Sequence, residues 1–374
     1  MKAWVLHGID NLVFENVPTP TPGLGEVLIA VKAVGICGSD IPRIYRTGAH
    51  RHPLIPGHEF SGEVVGLGED VDKKWLGQRV GVFPLIPCRV CGPCQKKQFE
   101  MCRNYDYLGS RRDGGFAEYV VVPVWNLISL PQQVSFEEAA MLEPMAVAVH
   151  AMRRMLPNKD MGAAVHATGK MAISDRENLP DEELLCKIAV CGLGTIGLLL
   201  LMFLKEAGVR EVYAIGNKDF QKELALKLGL EESCYCDSRR QNQHQWLMER
   251  TGGVGVDRYF ECVGKKETYA LAVDGTAPAG KVVLVGNPYS DMTLEKEVYW
   301  KILRNQLTVF GTWNSSYTRE FEDDWHYVIE RLDRKKIFPA AMISQRFSLE
   351  NLARGLELMR DKTEDYVKVM GLFE

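Results

Sequence analysis

The stretch KIAVCGLGTIGLLLLMFLK, residues 187–205, decides the fold. A short apolar run, Ile188 to Cys191, meets Gly192-Leu193-Gly194-Thr195-Ile196-Gly197 and continues into an apolar segment of helical length. In this strand–turn–helix order, G-x-G-x-x-G reads as a dinucleotide site. The first glycine makes the tight turn, the second lets backbone approach a pyrophosphate, and the third lets helix and strand pack closely. Amides exposed at the helix N-terminus face the phosphate charge. A glycine turn that only packs a helix is the bland alternative, and the flanking strand and helix argue against it. Ile188 to Leu204 carries no charge over seventeen residues. Three glycines interrupt that run, and it falls short of the roughly 18 residues expected of a membrane span. A buried strand and helix explain it.

Downstream the pattern continues as alternating strands and helices: Glu211 to Ile215, a helix from Phe220 to Leu228, then strands at Val256 to Glu261, Val282 to Val285 and Leu307 to Phe310. Such alternation implies a parallel, doubly wound sheet. Upstream the texture is β-rich. Val27, Ile29, Val31 and Ala33 alternate along one face, and Ser61 to Leu67, Gln78 to Phe83 and Phe116 to Val122 are similar short runs. Ser135 with Glu138 forms a capping box that starts a helix, interrupted at Glu143-Pro144 and resuming through His150. The polar stretch 157–187 stays unassigned, as an insertion at a domain boundary. Tyr366 to Leu372 is a closing strand too short to stand alone, and it returns to pair with the N-terminal lobe. The expected organisation is therefore α/β. A β-rich catalytic domain of residues 1–150 and 313–374 is interrupted by a cofactor domain of residues 151–312.

At 374 residues the chain is too long for one ordinary domain. Its 45 basic and 49 acidic residues leave a net charge of −4, which argues against a nucleic-acid binder. Nothing in Met1 to Asp10 reads as a signal peptide, so the expectation is a soluble cytoplasmic protein. A cofactor domain of this kind ordinarily ends its second strand on a carboxylate that grips the adenosine ribose. Here stand Gly216-Asn217-Lys218. Loss of that carboxylate removes repulsion against a 2′-phosphate, and Lys218 offers attraction. NADP is the favoured cofactor, with NAD kept open by Asp219.

Cys88, Cys91, Cys94 and Cys102 place four thiols in fifteen residues. Without a secretory signal, such a cluster reads as metal-binding rather than disulfide-forming. Four thiolates in one loop can close a tetrahedral structural zinc site. A second set is scattered: Cys37 after a strand, His58-Glu59 twenty-one residues on, and Glu143. A thiolate, an imidazole and a carboxylate would leave zinc one open position, as catalytic sites do, although each residue taken singly is more often a core or surface group.

The chain resembles the zinc-containing medium-chain alcohol and polyol dehydrogenases along nearly its whole length. The likeness rests on Cys37-Gly38-Ser39-Asp40, Gly57-His58-Glu59, the cysteine loop, the glycine turn, the segment Gly109-Ser110-Arg111-Arg112-Asp113-Gly114-Gly115 and Lys301 to Arg304. The resemblance implies a GroES-like catalytic domain beside a Rossmann domain, and a homodimer or homotetramer. It implies that Cys37, His58 and Glu143 hold a catalytic zinc with Glu59 as a nearby carboxylate, and that the four-cysteine loop holds a structural zinc. Ser39 would take the proton of a substrate alcohol. Many relatives carry a histidine three residues after this serine; here Pro42 stands instead, leaving ribose hydroxyls, water or Glu59 as the onward relay.

Arg43, Arg46, Arg111, Arg112 and Arg304 suggest a phosphate clamp, since guanidinium matches phosphate geometry, with ion pairs between lobes or subunits as the bland alternative for any one of them. Arg43, Tyr45, Arg112 and Arg304 are the expected substrate contacts, and a sugar-alcohol phosphate the expected substrate. An unphosphorylated polyol such as sorbitol or xylitol is the alternative. A catalytically inactive cofactor- or zinc-binding module is the reading from another class, and the intact donor set argues against it.

Overall fold

The computed structural model describes residues 1–156, 185–288 and 290–373. They form two compact units: Met1–Ala146 with Ser315–Glu374, and Val147–Asn314. The unassigned 157–187 stretch lies outside the described residues as far as residue 184. No helix among the described residues is long and apolar enough to cross a membrane.

The second unit is built on a six-stranded parallel sheet: β1 (Ile188–Cys191), β2 (Val212–Gly216), β3 (Tyr235–Asp237), β4 (Val256–Glu261), β5 (Thr276–Leu284) and β6 (Thr308–Gly311). The order is β3-β2-β1-β4-β5-β6, with Ile188 in register with Val212 on one side and Arg258 on the other. This is the doubly wound arrangement expected from the alternation, and its switch point lies beside β1. The uncharged run resolves into β1, the glycine turn and the helix Thr195–Glu206, in which Gly197 to Leu204 are all buried. Strand β3 has only three residues, too few to show a period, and the sequence did not reveal it.

In the first unit, the long strand Glu26–Ile36 is the centre of a seven-stranded sheet. It pairs antiparallel with Glu59–Leu67, Tyr119–Pro123 and Lys368–Leu372. Val27, Ile29, Val31 and Ala33 are buried while Leu28, Ala30 and Lys32 between them are partly exposed, as the alternation required, and from Ala33 to Ile36 the strand is buried on both faces. The closing strand does return, with Val369 opposite Ile36 and Ile343–Ser348 on its other side. Tyr317 anchors the re-entering chain: its hydroxyl donates to the Leu127 carbonyl at 2.7 Å, among the rings of Phe83, Trp125 and Trp325.

Two local expectations shift. The Ser135–Glu138 capping box is present, but the break falls at Met141, between the helices Phe136–Ala140 and Leu142–Met155. Glu143 and Pro144 sit in the first turn of the second helix, where a missing N–H costs no hydrogen bond. The strand expected from Phe116 begins at Tyr119, because Phe116 uses its carbonyl to accept from the Trp4 amide at 2.9 Å instead.

A methyl group on Gly197 would stand 1.9 Å from the Gly192 carbonyl oxygen, whereas one on Gly194 would meet nothing within 4 Å. Gly197→Ala should therefore force helix from turn and lower stability by about 1–3 kcal/mol, the usual range for overpacking. Gly194→Ala should unfold at the wild-type midpoint. Urea denaturation of the two variants checks the contrast.

Candidate active site

The ends of three strands create the site. Gly35 lies opposite Glu59, and Ile36 opposite Val369. Cys37 therefore emerges beside His58 and Glu59, and beside Lys368, although these residues are far apart in sequence. Cys37 Sγ, a His58 ring nitrogen and a Glu59 carboxylate oxygen lie within 4.8 Å of one another. Ser39 donates to Cys37 Sγ at 3.3 Å.

Asp40 organises this corner from complete burial. It accepts from the Cys37 amide at 3.0 Å and from Arg43 Nη1 at 2.5 Å, and its Oδ1 lies 3.4 Å from His58 Nδ1. The last contact lacks hydrogen-bond geometry, so His58 Nδ1 is buried without a partner. Burial opposes protonation of His58, but Asp40 and Cys37 outweigh it and hold the imidazole pKa well above its ordinary value. Glu59 is buried too and forms an ion pair with the buried Lys368, whose ammonium also donates to the Ile36 carbonyl at 3.1 Å. Gly35 leaves room for this pair: a Cβ there would stand 2.2 Å from the Glu59 carboxylate.

Glu143 approaches from the helix Leu142–Met155 and accepts from Tyr107 Oη at 3.3 Å. It does not join the group of mutual 4.8 Å distances. Burial pushes its pKa up to about 7, with His58 acting in the opposite direction and Glu59 adding to the rise. The Tyr107 ring meets the His58 ring edge-on at 5.8 Å. A thiol, an imidazole with an orphaned nitrogen and two buried carboxylates with only one lysine between them form an electrostatically incomplete set. That donor chemistry fits a zinc ion, and Asp40 is the carboxylate nearest His58 Nδ1.

The cysteine loop is a different kind of cluster. The Sγ atoms of Cys88, Cys91, Cys94 and Cys102 lie within 4.8 Å of one another, and all four cysteines are free. Cys88 and Cys94 are 4.0 Å apart, Cys91 and Cys102 3.9 Å. A tetrahedral zinc with Zn–S bonds of about 2.3 Å has S···S edges of about 3.8 Å. The loop thus presents a cage of matching size. The Cys88 amide donates to Cys102 Sγ at 3.2 Å; backbone amides lower the Cys91 pKa to about 6, while burial pushes that of Cys94 up to about 12.

In the second unit each glycine of the turn acts differently. Gly192 adopts φ +94°, and a Cβ there would strike Val263 at 2.5 Å. Gly194 caps the helix beside open space, and Gly197 touches the turn. Thr195 and Ile196 are partly exposed in the first helical turn. Gly216 ends β2, where a side chain would meet Tyr235 Oη at 2.9 Å; Asn217 and Lys218 follow, with Lys218 Nζ 5.3 Å from the Phe220 ring centre. Arg239, which the sequence gave no reason to single out, bridges Asp219 at 2.5 Å and Asp237 at 2.7 Å.

Of the four expected substrate contacts, Arg43, Tyr45 and Arg112 belong to the first unit and Arg304 to the second. Arg43 is held by Asp40 beside the donor set. Tyr45 is covered by the Arg360 guanidinium at 4.6 Å. Arg112 is paired with Glu26, and Arg304 is exposed at the end of the helix Lys296–Arg304 in the second unit. Asp40, Tyr107 and Lys368 were not singled out from sequence. Asp40 lies inside the Cys37 segment, but only the sheet register reveals Lys368.

A Rossmann sheet, a GroES-like β unit and two zinc-sized donor clusters define a class, and the comparisons agree. The profile of the alcohol dehydrogenase GroES-like domain matches residues 23–132, and that of zinc-binding dehydrogenases residues 195–334. The chain belongs to the zinc-dependent medium-chain alcohol dehydrogenase family and is an oxidoreductase. It is 32% identical to galactitol 1-phosphate 5-dehydrogenase of Escherichia coli K12 over 94% of both chains. It is 28% identical to L-threonine 3-dehydrogenase of the same strain over 95% of both. The crystal structure of galactitol-1-phosphate dehydrogenase from Escherichia coli superposes with a TM-score of 0.85 at 30% identity, covering all of both chains. A zinc-binding dehydrogenase from Sinorhizobium meliloti 1021 bound to NADP gives 0.82 at 27%, covering 99% of this chain and 98% of that one. An alcohol dehydrogenase from Escherichia coli CFT073 complexed with NADH gives 0.84 at 26%, covering 100% and 99%.

Replacing Lys368 by Met would leave the Glu59 carboxylate buried without its cation. Loss of one partner from a buried pair costs about 3–5 kcal/mol. Chemical denaturation should show a loss of that order, and Glu59→Gln introduced together with Lys368→Met should recover much of it.

Proposed function

We propose that the chain oxidises a secondary hydroxyl of a sugar-alcohol phosphate resembling galactitol 1-phosphate to the ketone, reversibly, using zinc and NADP. The observation that carries the chemistry is the meeting of Cys37, His58 and Glu59 beneath Ser39, with Glu143 close by. When bound, zinc lowers the pKa of a substrate hydroxyl and the nicotinamide accepts hydride from the same carbon. Cys37, His58 and Glu143 hold the zinc. Glu59, restrained by Lys368, is the adjacent carboxylate, and Asp40 orients His58. Ser39 Oγ receives the hydroxyl proton. Pro42 supplies no imidazole, so the proton leaves by ribose hydroxyls, water or Glu59. The four thiols of the cysteine loop hold a second, closed zinc.

The phosphorylated substrate is supported by the 32% likeness to galactitol 1-phosphate 5-dehydrogenase and by Arg43 at the edge of the donor set. Free sorbitol- or xylitol-type polyols are the second reading, because Asp40 and Glu26 already neutralise Arg43 and Arg112. NADP is supported by the bare Gly216 and by Lys218, Arg239 and Arg240 around it. The carboxylates of Asp219 and Asp237 on Arg239 are what favour NAD as the alternative. A homodimer or homotetramer is supported by β6, which lies at the edge of its sheet, and by exposed Tyr299, Trp300, Leu303 and Trp313. Ten free cysteines fit the reducing cytoplasm.

Metal analysis of freshly purified, chelator-free protein should return two zinc ions per chain, and Cys37→Ala should retain one. One zinc or none in the parent would refute the assignment. A kinetic panel of galactitol 1-phosphate, sorbitol and xylitol, each with NAD and NADP, tests the rest. Turnover of free polyols equal to or better than that of the phosphate would overturn the substrate, and a strong preference for NAD would overturn the cofactor.

A further inference from the structure

The four-cysteine loop is closed at its base by a two-residue ladder. Leu85 and Ile86 run antiparallel to Asp106 and Tyr107, with Leu85 opposite Tyr107 and Ile86 opposite Asp106. Leu108 then donates its amide to the Pro84 carbonyl at 3.0 Å. Cys88 to Cys102 lie between these two arms, so the chain enters the cage from one arm and leaves it by the other. The first arm is also fixed from outside the loop: buried Asn126 donates to the Phe83 carbonyl at 2.7 Å and to the Leu85 carbonyl at 2.8 Å.

From the second arm, Tyr107 reaches the other cluster. Its hydroxyl donates to Glu143 Oε1 at 3.3 Å, and its ring meets the His58 ring edge-on at 5.8 Å. The backbone of the same residue belongs to the ladder, and its carbonyl accepts from the Arg111 and Arg112 amides at 2.9 and 3.0 Å. Tyr107 therefore moves only as the ladder moves. Among the described residues its hydroxyl is the sole hydrogen-bond donor to the Glu143 carboxylate. A carboxylate that ligates a metal is itself held by a hydrogen bond, because fixing one oxygen sets how the other is presented.

We propose that Tyr107 is a positioning residue that couples the two clusters: the ladder at the base of the cysteine cage sets where its hydroxyl holds Glu143, so filling of the cage adjusts how Glu143 is presented to a metal at the Cys37–His58 site. This rests on the two-zinc reading above and goes beyond it, since there neither site acts on the other. The coupling is mechanical. Thiolates drawn to one ion fix the separation of Cys88, two residues beyond Ile86, from Cys102, four residues before Asp106. Widening the cage shifts one arm against the other, and Asn126 restrains the first. The 3.3 Å contact to Glu143 is already long, so a displacement of a few tenths of an ångström removes it.

The test uses the full-length protein with cobalt in the accessible site, whose visible absorption reports its ligands, and with either zinc or the larger cadmium ion in the cysteine cage. In the parent, cadmium in the cage should shift the cobalt spectrum, because the wider cage moves Tyr107 and with it Glu143. That arm needs no substitution. In Tyr107→Phe, which keeps the ring and removes only the hydroxyl, the same exchange should leave the cobalt spectrum unmoved. With zinc in both sites, Tyr107→Phe should release its accessible zinc to a chelator about ten- to hundredfold more readily than the parent, the range for losing an outer partner of a metal ligand. A parent that takes up fewer than two metal ions defeats the two-zinc reading. With two ions bound, a parent spectrum indifferent to cadmium, or a shift of equal size in Tyr107→Phe, overturns the coupling and leaves that reading intact. Release from Tyr107→Phe at the parent's rate overturns the positioning role.

Discussion

Three strands end side by side at Gly35, Glu59 and Lys368, and the buried Glu59–Lys368 ion pair occupies the space that Gly35 leaves open. Without that register Cys37 and His58 would be unrelated residues. The pair is costly to bury, and its geometry must hold both charges in place where water cannot relieve them. It also links the last strand of the chain to the first long one, so a truncation at the C-terminus would reach the donor set directly. Asp40 works in the same corner by a different route, joining Cys37, Arg43 and His58 through one fully buried carboxylate.

The two zinc-sized clusters contrast in how they are made. Four cysteines in one loop need little more than local turns, and backbone amides to the sulfurs set their spacing. The other set draws one donor from a strand end, two from the start of a neighbouring strand and another from the first turn of a helix. Local chemistry closes the first cluster. Long-range pairing assembles the second, where Ser39 donates to the Cys37 sulfur.

In the second unit, the same logic separates the glycine turn from the ribose end. The turn works through absence: a side chain on Gly192 would strike Val263 and one on Gly197 would strike the Gly192 carbonyl, while Gly194 borders open space. The end of β2 carries instead a balance of charges. Lys218, Arg239 and Arg240 face Asp219 and Asp237, and a balance of that kind is decided by side-chain positions that no short motif encodes.

Periodic and local signals determined the doubly wound sheet, the alternating strand Glu26–Ile36, the glycine turn, the capping box at Ser135 and the cysteine cage, because each depends on neighbours within a few residues. The break at Met141 rather than at Pro144 was missed, since proline in a first helical turn forfeits nothing. The three-residue strand Tyr235–Asp237 carried no period to read. Likeness to a family, rather than spacing, joined Cys37, His58 and Glu143. Only the tertiary structure brought Lys368 to Glu59, placed Asp40 beneath His58, neutralised Arg43 and Arg112, and set Tyr107 against Glu143. Those outcomes depend on which strands become neighbours and which charges are buried together, and both are settled by packing across hundreds of residues.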